Sequence, residues 1–458
     1  MIALCILAVL AQPAKASPAG FTGRVLESVA CKAAPAQTYA LYVPSAYTRE
    51  KKWPVIFCFD PGARGRVPVE RLQAAAEKFG CIVAGSNTSR NGPWADNLAA
   101  MKAMVTDVDS HLSLDGGRIY TAGLSGGARV AAELGFLGLS KGVIGCSAGF
   151  PVMTNGIPQE VPFLFFGTAG TEDFNYSELR KLDGELDDRH ATHRIVFYPG
   201  GHEWASSELL VEAVEWLEIQ SMRTGARPKD EAMIQASLKA RLAAAEAKPP
   251  GPAWRDLKSI AADFKGLADT AEIERKVKTM AAEREVKDWQ RAGRGLAQQE
   301  VKLSARLRDL GANGSAGEIQ RTAVELRQQS DAAEDTPERQ MVRRAIGGVV
   351  IGGREKLRGL LEQHAYGEAT ALLELITALR PGQSHTLFEL ARVYALAGEK
   401  QHALAALAQT AAAGFSNPAR TETEPAFSKL RREPAFQAAL EKIRANPPET
   451  ERAEYRGW

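Results

Sequence analysis

The chain reads as α/β over its first half and all-α over its second, and three observations predict this. Eight short β-branched runs fall between residues 22 and 198, the later ones separated by helix-period segments. That alternation predicts a mostly parallel eight-stranded sheet covered on both faces. After Gly225-Ala-Arg-Pro228 the β-branched runs stop, and Ala, Glu, Lys, Arg and Gln take over, a composition that favours helices. Near the end a two-helix pattern recurs with small residues at matching places.

Taken in order, the strands are expected at 22–30, 37–43, 54–59, 81–85, 118–122, 142–147, 162–167 and 193–198. The helices are expected at 68–79, 97–112, 126–137, 174–189 and 205–222. Further on, Lys248-Pro-Pro-Gly-Pro252 and Gly311-Ala-Asn-Gly-Ser315 break the helical stretch into pieces. Ala369, Leu373 and Pro381 match the second helix and closing proline of a tetratricopeptide unit. Ala403 and Leu407 follow the first two by about 34 residues, the length of one such unit. Leu387, Leu390, Ala391 and Tyr394 supply the first helix of that second unit. Only two units are visible, fewer than the ~3 that usually make a stable solenoid.

These patterns divide the chain into a sheet domain at 17–225, a helical linker region at 226–350, a tetratricopeptide-like region at 351–445 and a tail at 446–458. The apolar run Ile2–Ala11 is shorter than the ~20 residues a membrane-spanning helix needs. With Ala14-Lys15-Ala16 after it, residues 1–16 read as a secretory leader, which implies a periplasmic or secreted protein. No Lys or Arg precedes the apolar run, which is atypical of such leaders.

The 458 residues carry 57 basic and 55 acidic side chains, a net charge of +2. That balance lacks the basic excess that nucleic-acid or membrane-surface binding draws on. Cleavage of the leader leaves Cys31, Cys58, Cys81 and Cys146. An even number permits two disulfides in an oxidising compartment, yet three of these cysteines lie in apolar strand-like runs and read equally as buried thiols. No Cys or His spacing suggests a metal site.

The chemistry lies in the first domain. Gly-x-Ser-x-Gly occurs at Gly123–Gly127, Gly138–Gly142 and Gly145–Gly149. A nucleophilic serine of this kind needs a strand immediately before it and a helix immediately after. Ser125 has both. Ser140 has the order reversed, and Ser147 has no room for a helix after it. A serine also needs a base. Of the histidines in this domain, His111 precedes the nucleophile strand, and His190 and His193 flank the start of a strand. His202 follows strand 193–198 in Pro199-Gly-Gly-His202, on the loop edge where ligands gather in such sheets. The base in turn needs a carboxylate. Asp173 ends the loop after strand 162–167, with Glu172 as its substitute; Asp183, Asp187 and Asp188 read as a solvated helix face. Two N–H donors are needed for the developing oxyanion. Gly126 supplies one. Ala63, in Asp60-Pro-Gly-Ala-Arg-Gly65, is nominated for the other, with Gly62 and Arg64 as competitors.

These residues, in the order Asp60–Gly65, Asn91-Gly-Pro-Trp94, Gly123–Ala128, Gly170–Asp173 and Gly201–Trp204, resemble α/β-hydrolases of the dienelactone hydrolase and polyhydroxybutyrate-depolymerase-like esterase type. The resemblance covers residues 22–222. It implies a serine hydrolase of carboxylic esters with no cofactor, acting on a small-molecule or polymer ester. The turn at Asp60 departs from the family's usual His-Gly start, and Ser125 replaces the cysteine of the dienelactone enzymes. Trp94 and Trp204 fall on loops at the expected active edge, as pocket lining or as loop packing. Two other functions stay open: a serine peptidase of prolyl-oligopeptidase type, and an inert hydrolase fold whose repeat docks a peptide or protein partner.

Overall fold

A computed structural model of the chain describes residues 21–154 and 156–448. The leader expected at 1–16 and most of the tail expected at 446–458 lie outside the described residues. Contacts divide the chain into two units, 1–292 and 293–458.

In the first unit, each β-branched run is a strand: β1 (Val25–Cys31), β2 (Ala34–Tyr42), β3 (Trp53–Phe59), β4 (Ile82–Ser86), β5 (Leu114–Leu124), β6 (Gly142–Cys146), β7 (Leu164–Gly170) and β8 (His193–Tyr198). Among the described residues they make one eight-stranded sheet, ordered β1-β2-β4-β3-β5-β6-β7-β8. The β1–β2 and β2–β4 pairings are antiparallel and all later ones parallel. This is the α/β-hydrolase sheet, as the sequence predicts. Five helices cover it: α1 (Arg66–Phe79), α2 (Trp94–His111), α3 (Gly126–Phe136), α4 (Tyr176–Asp188) and α5 (Ser207–Arg223).

Strand β3 shows why both faces must be covered. All seven of its residues are buried, and successive side chains of a strand point to opposite faces. Val55, Phe57 and Phe59 pack with Met104 of α2, Val130 of α3 and Leu179 of α4. Ile56 and Cys58 face the other way, into the core built with Leu72 of α1 and Leu217 of α5. Because β3 and β5 to β8 run parallel, the loops that follow them emerge along one edge. That edge positions the candidate site.

The expected boundary at 225 falls short of where the first unit ends. The last turns of α5, Trp216 to Met222, are buried throughout. Ile219 and Met222 share a core with Ile234 of α6 (Glu231–Glu246) and with Leu257, Ile260 and Phe264 of α7 (Pro250–Phe264). Asp263 of α7 anchors this packing. It accepts hydrogen bonds from Trp216 Nε1 at 2.7 Å and from Arg241 at 2.6 Å. The composition change after Pro228 marks the end of the sheet rather than the end of the unit. Helix α8 (Ala271–Ala282) also lies within it.

Cys31, Cys58, Cys81 and Cys146 are all buried free thiols. Burial pushes the Cys58 and Cys81 thiols well above their ordinary range, so they act as small apolar side chains.

Helix α9 (Arg284–Asn313) carries the chain across the contact boundary into the second unit. The second unit continues with α10 (Ala316–Ser330), α11 (Pro337–Glu362), α12 (Tyr366–Leu379), α13 (Ser384–Leu396), α14 (Lys400–Ala412), α15 (Pro418–Thr423) and α16 (Pro434–Ala445). Its core buries Ala369 and Leu373 on α12 and Ala403 and Leu407 on α14, the residues picked out by the repeat. Phe388, Phe415, Phe427 and Phe436 form a connected ring cluster beneath the last helices. No helix among the described residues is long and apolar enough to cross a membrane.

Candidate active site

Ser125 sits between the last residue of β5 and the first of α3, with φ 52° and ψ −120°. A residue with a Cβ in that region carries strain of about 1–3 kcal/mol, and the flanking glycines show what holds it there. A Cβ on Gly123 would lie 2.1 Å from the Gly127 carbonyl oxygen, and one on Gly127 would lie 2.0 Å from the Phe59 carbonyl oxygen. The Gly-x-Ser-x-Gly pattern is therefore a steric requirement of a tight strand-to-helix turn. The Ser125 N–H is tied to the Cys146 carbonyl at 2.9 Å, which fixes the turn to β6. Ser125 itself is half-buried at the head of α3.

His202 lies on the loop after β8, and its Nδ1 is 2.9 Å from Asp173 Oδ1. Asp173 is fully buried on the loop after β7. The same Oδ1 accepts the Asn175 N–H at 2.8 Å. Asp173 Oδ2 is buried without a hydrogen-bond partner among the described residues. An ionised carboxylate accepts only, so the shared proton resides on Nδ1 and the lone pair of His202 is on Nε2. Phe174 packs its ring against the imidazole, with centroids 4.1 Å apart and planes inclined by 31°.

The loop bearing His202 is pinned from several directions. Ser147 Oγ donates to the Glu203 carbonyl at 3.1 Å, and Arg71 of α1 reaches the Ala205 carbonyl at 3.1 Å. Trp204 Nε1 donates to Asp60 Oδ2 at 2.8 Å. Asp60 directly follows β3, and its backbone nitrogen lies 3.3 Å from where a Gly127 Cβ would be. A chain of contacts thus runs from the Ser125 turn through Asp60 and Trp204 to the His202 loop. No hydrogen bond joins Ser125 Oγ to His202 among the described residues; such contacts often tighten only around substrate.

Other expected parts fall differently. The Ala63 N–H, nominated as an oxyanion donor, is donated to the Asp60 carbonyl at 3.1 Å, and the Gly62 N–H to Asp60 Oδ1 at 2.8 Å. Both amides close the turn, whose Ala63 has φ 60°. Gly126 begins α3 with its N–H at the helix head. Trp204 is buried and hydrogen-bonded, so it packs the loop. Trp94 is 42% exposed. It lines a cleft of about 370 Å³ together with Arg90, Asn91, Gly126, Arg129 and Glu133. Ser140 is a buried turn residue bonded to the Gly142 carbonyl at 2.7 Å. Ser147 has a positive φ of 58° and is fully buried, turned toward the base loop.

Sequence reasoning missed the structural roles of Asp60 and Asn91. Asp60 also takes a two-pronged grip from Arg64, at 2.8 and 2.9 Å. A carboxylate followed four residues later by arginine is a local signal for the Arg64 grip, and the contact with Trp204 has none.

His193 stands at the start of β8, away from this edge. Burial works against its charge, but hydrogen bonds to Asp183 and to the Ala191 carbonyl, with the charges of Asp183 and Asp187, outweigh it and raise its pKa above 6.5. A raised folded-state pKa stabilises the protonated form. That contribution is complete below the unfolded value of 6.5 and fades as pH rises through the higher folded value. His193→Gln is expected to remove this component. Denaturant unfolding at a series of pH values checks it, and an unchanged pH dependence between the variant and the parent would refute it.

No family model matches the chain, and no curated protein matches it. Similar solved structures include the S-formylglutathione hydrolase FrmB of Staphylococcus aureus, at 14% identity over 40% of this chain and 90% of that one, with a TM-score of 0.33. The hyperthermophilic esterase of Pyrobaculum calidifontis is similar at 12% identity over 45% of this chain and 87% of that one, with a TM-score of 0.36. The carboxylesterase EstE1, cloned from a metagenomic library, is similar at 13% identity over 45% and 90%, with a TM-score of 0.35. Likenesses this distant carry nothing about reaction or substrate; those rest on the chain's own site.

Proposed function

We propose that the protein is a serine hydrolase that cleaves carboxylic esters through an acyl-enzyme on Ser125. The observation that carries the reading is the 2.9 Å contact between His202 Nδ1 and Asp173 Oδ1. These residues stand on loops after β8 and β7, on the edge where the strained Ser125 turn ends β5. Their chain order, serine then acid then histidine, is the one this fold uses.

The steps follow from the roles. His202 Nε2 takes the hydroxyl proton as Ser125 Oγ bonds to the ester carbonyl carbon, and the carbonyl π pair moves to oxygen. The Gly126 N–H and the positive end of α3 face that oxyanion. Asp173 stabilises the imidazolium. The oxyanion collapses, the bond to the alcohol oxygen breaks, and His202 returns its proton to the leaving alcohol. Water then repeats the sequence on the acyl-Ser125, releasing the carboxylic acid and restoring the hydroxyl. Each step is a proton or acyl transfer among these side chains, substrate and water.

The leader pattern at 1–16 supports export to the periplasm or beyond. The recurrence of Ala369 and Leu373 as Ala403 and Leu407, all buried, supports a tetratricopeptide-like reading of the second unit, with peptide docking as its role.

The test is labelling of the folded, full-length chain with a fluorophosphonate, alongside p-nitrophenyl esters and peptide anilides. Labelling confined to Ser125 with ester turnover is expected. Turnover of the anilides alone would reassign the protein as a peptidase. An unlabelled Ser125 would leave an inert fold whose helical unit does the work.

A further inference from the structure

Oxyanion stabilisation needs more than the Gly126 N–H, and the Gly62 and Ala63 amides on the turn after β3 are both donated to Asp60. A different donor lies against Gly126. The Asn91 side chain packs so closely on this residue that a Cβ built there would stand 1.9 Å from Asn91 Oδ1, 3.0 Å from Cγ and 3.5 Å from Nδ2. The Cβ position is bonded to the same α-carbon as the Gly126 nitrogen. The end of the Asn91 side chain therefore lies close to the Gly126 backbone.

Three further features fit Asn91 for the task. Its side-chain amide makes no hydrogen bond among the described residues, although the residue is well anchored. Its backbone N–H donates to the Pro61 carbonyl at 2.9 Å, and a bridge pairs Gly62 with Arg90, so its loop is zipped to the turn after β3. It lines the same cleft as Gly126 and Trp94. Finally, its terminal torsion is two-fold and soft, so a half-turn places Nδ2 where Oδ1 stands.

We propose that the Asn91 side-chain amide is the second oxyanion donor, a catalytic residue that binds the carbonyl oxygen as it becomes charged. This rests on the hydrolase reading above. Any side chain at Gly126 would displace the Asn91 side chain, which accounts for glycine at this position.

The test compares the full-length parent with Asn91→Ala and Asn91→Leu. The leucine variant keeps the shape, carries no charge and lacks the donor. The main readout is the second-order rate of fluorophosphonate labelling at Ser125, which builds charge on a phosphonyl oxygen and needs no knowledge of the natural substrate. Turnover of p-nitrophenyl butyrate and inhibition by phenylboronic acid accompany it. Loss of one oxyanion donor lowers rates by about 10²–10³-fold, so labelling and kcat are expected to fall by that factor. KM should stay within a few-fold, and boronate binding should weaken in step with kcat/KM. Melting temperatures identify a variant that fails to fold, in which case the similarly shaped leucine decides. If Ser125 labels at parental rate in a folded Asn91 variant, the donor is elsewhere and this proposal falls while the hydrolase reading stands. If the parent itself does not label, both fall.

Discussion

Replacing Ser125 with alanine is expected to lower ester turnover about 10⁶-fold, the loss seen when a triad nucleophile is removed, without unfolding the protein. Alanine keeps the Cβ that the turn already accommodates, and the hydroxyl makes no hydrogen bond among the described residues whose loss would be felt. Ser125→Gly sharpens the prediction. With φ 52° and ψ −120°, the position is strained for any residue bearing a Cβ, and glycine escapes that strain. The glycine variant is expected to be equally inactive yet more stable than the parent by about 1 kcal/mol. Activity lost while stability rises is the mark of a residue held in place for function. Turnover of p-nitrophenyl butyrate and denaturant unfolding of the three proteins check both halves. If Ser125→Ala retained parental turnover, Ser147, the other positive-φ serine at a strand end, would be the first place to look.

The sheet was legible because its signal is local. Pro54-Val-Ile-Phe-Cys-Phe59 is apolar at every position, which only a strand covered on both faces tolerates, and the following Pro61-Gly62 stops it. The Ser125 turn was legible for a related reason, since small residues at 123, 126 and 127 between a strand and a helix leave few other readings. What stayed hidden was non-local. Nothing around Asp60 announces that its carboxylate meets an indole at Trp204, because 144 residues separate them. Ala63 looked suitable by its place after β3, but whether an amide is free depends on the turn type, and the carbonyl of Asp60 takes it. The end of the first unit was missed for a third reason. A change in composition reports a change in secondary structure, whereas a unit ends where burial ends, and Trp216 to Met222 are buried, with Ile219 and Met222 in one core with α6 and α7.

Asp173→Asn is expected to cost about 10⁴-fold in kcat, the penalty for an orienting acid made neutral, with little change in fold. The geometry says why so small an edit matters. Asp173 Oδ1 faces His202 Nδ1 at 2.9 Å and also accepts the Asn175 N–H at 2.8 Å. The carboxylate is fully buried, and its Oδ2 has no partner among the described residues. Such a charge is costly in the resting protein and repaid when His202 becomes an imidazolium. Both N–H groups meet the same oxygen, so asparagine either keeps its carbonyl there and puts an NH₂ in the partnerless Oδ2 position, or turns the NH₂ toward both N–H groups. If its NH₂ faces His202, the ring proton moves to Nε2, and the base meets Ser125 with a hydrogen in place of a lone pair. The buried NH₂ left without an acceptor offsets what removal of the buried carboxylate gains, so stability should stay within about 1 kcal/mol of the parent. Measuring kcat and melting temperature together distinguishes this from collapse of the loop, which would lower both. A variant within tenfold of the parent would move the orienting role to another carboxylate, with Glu172 first in line, and Glu172→Gln made alongside would then show the large loss instead.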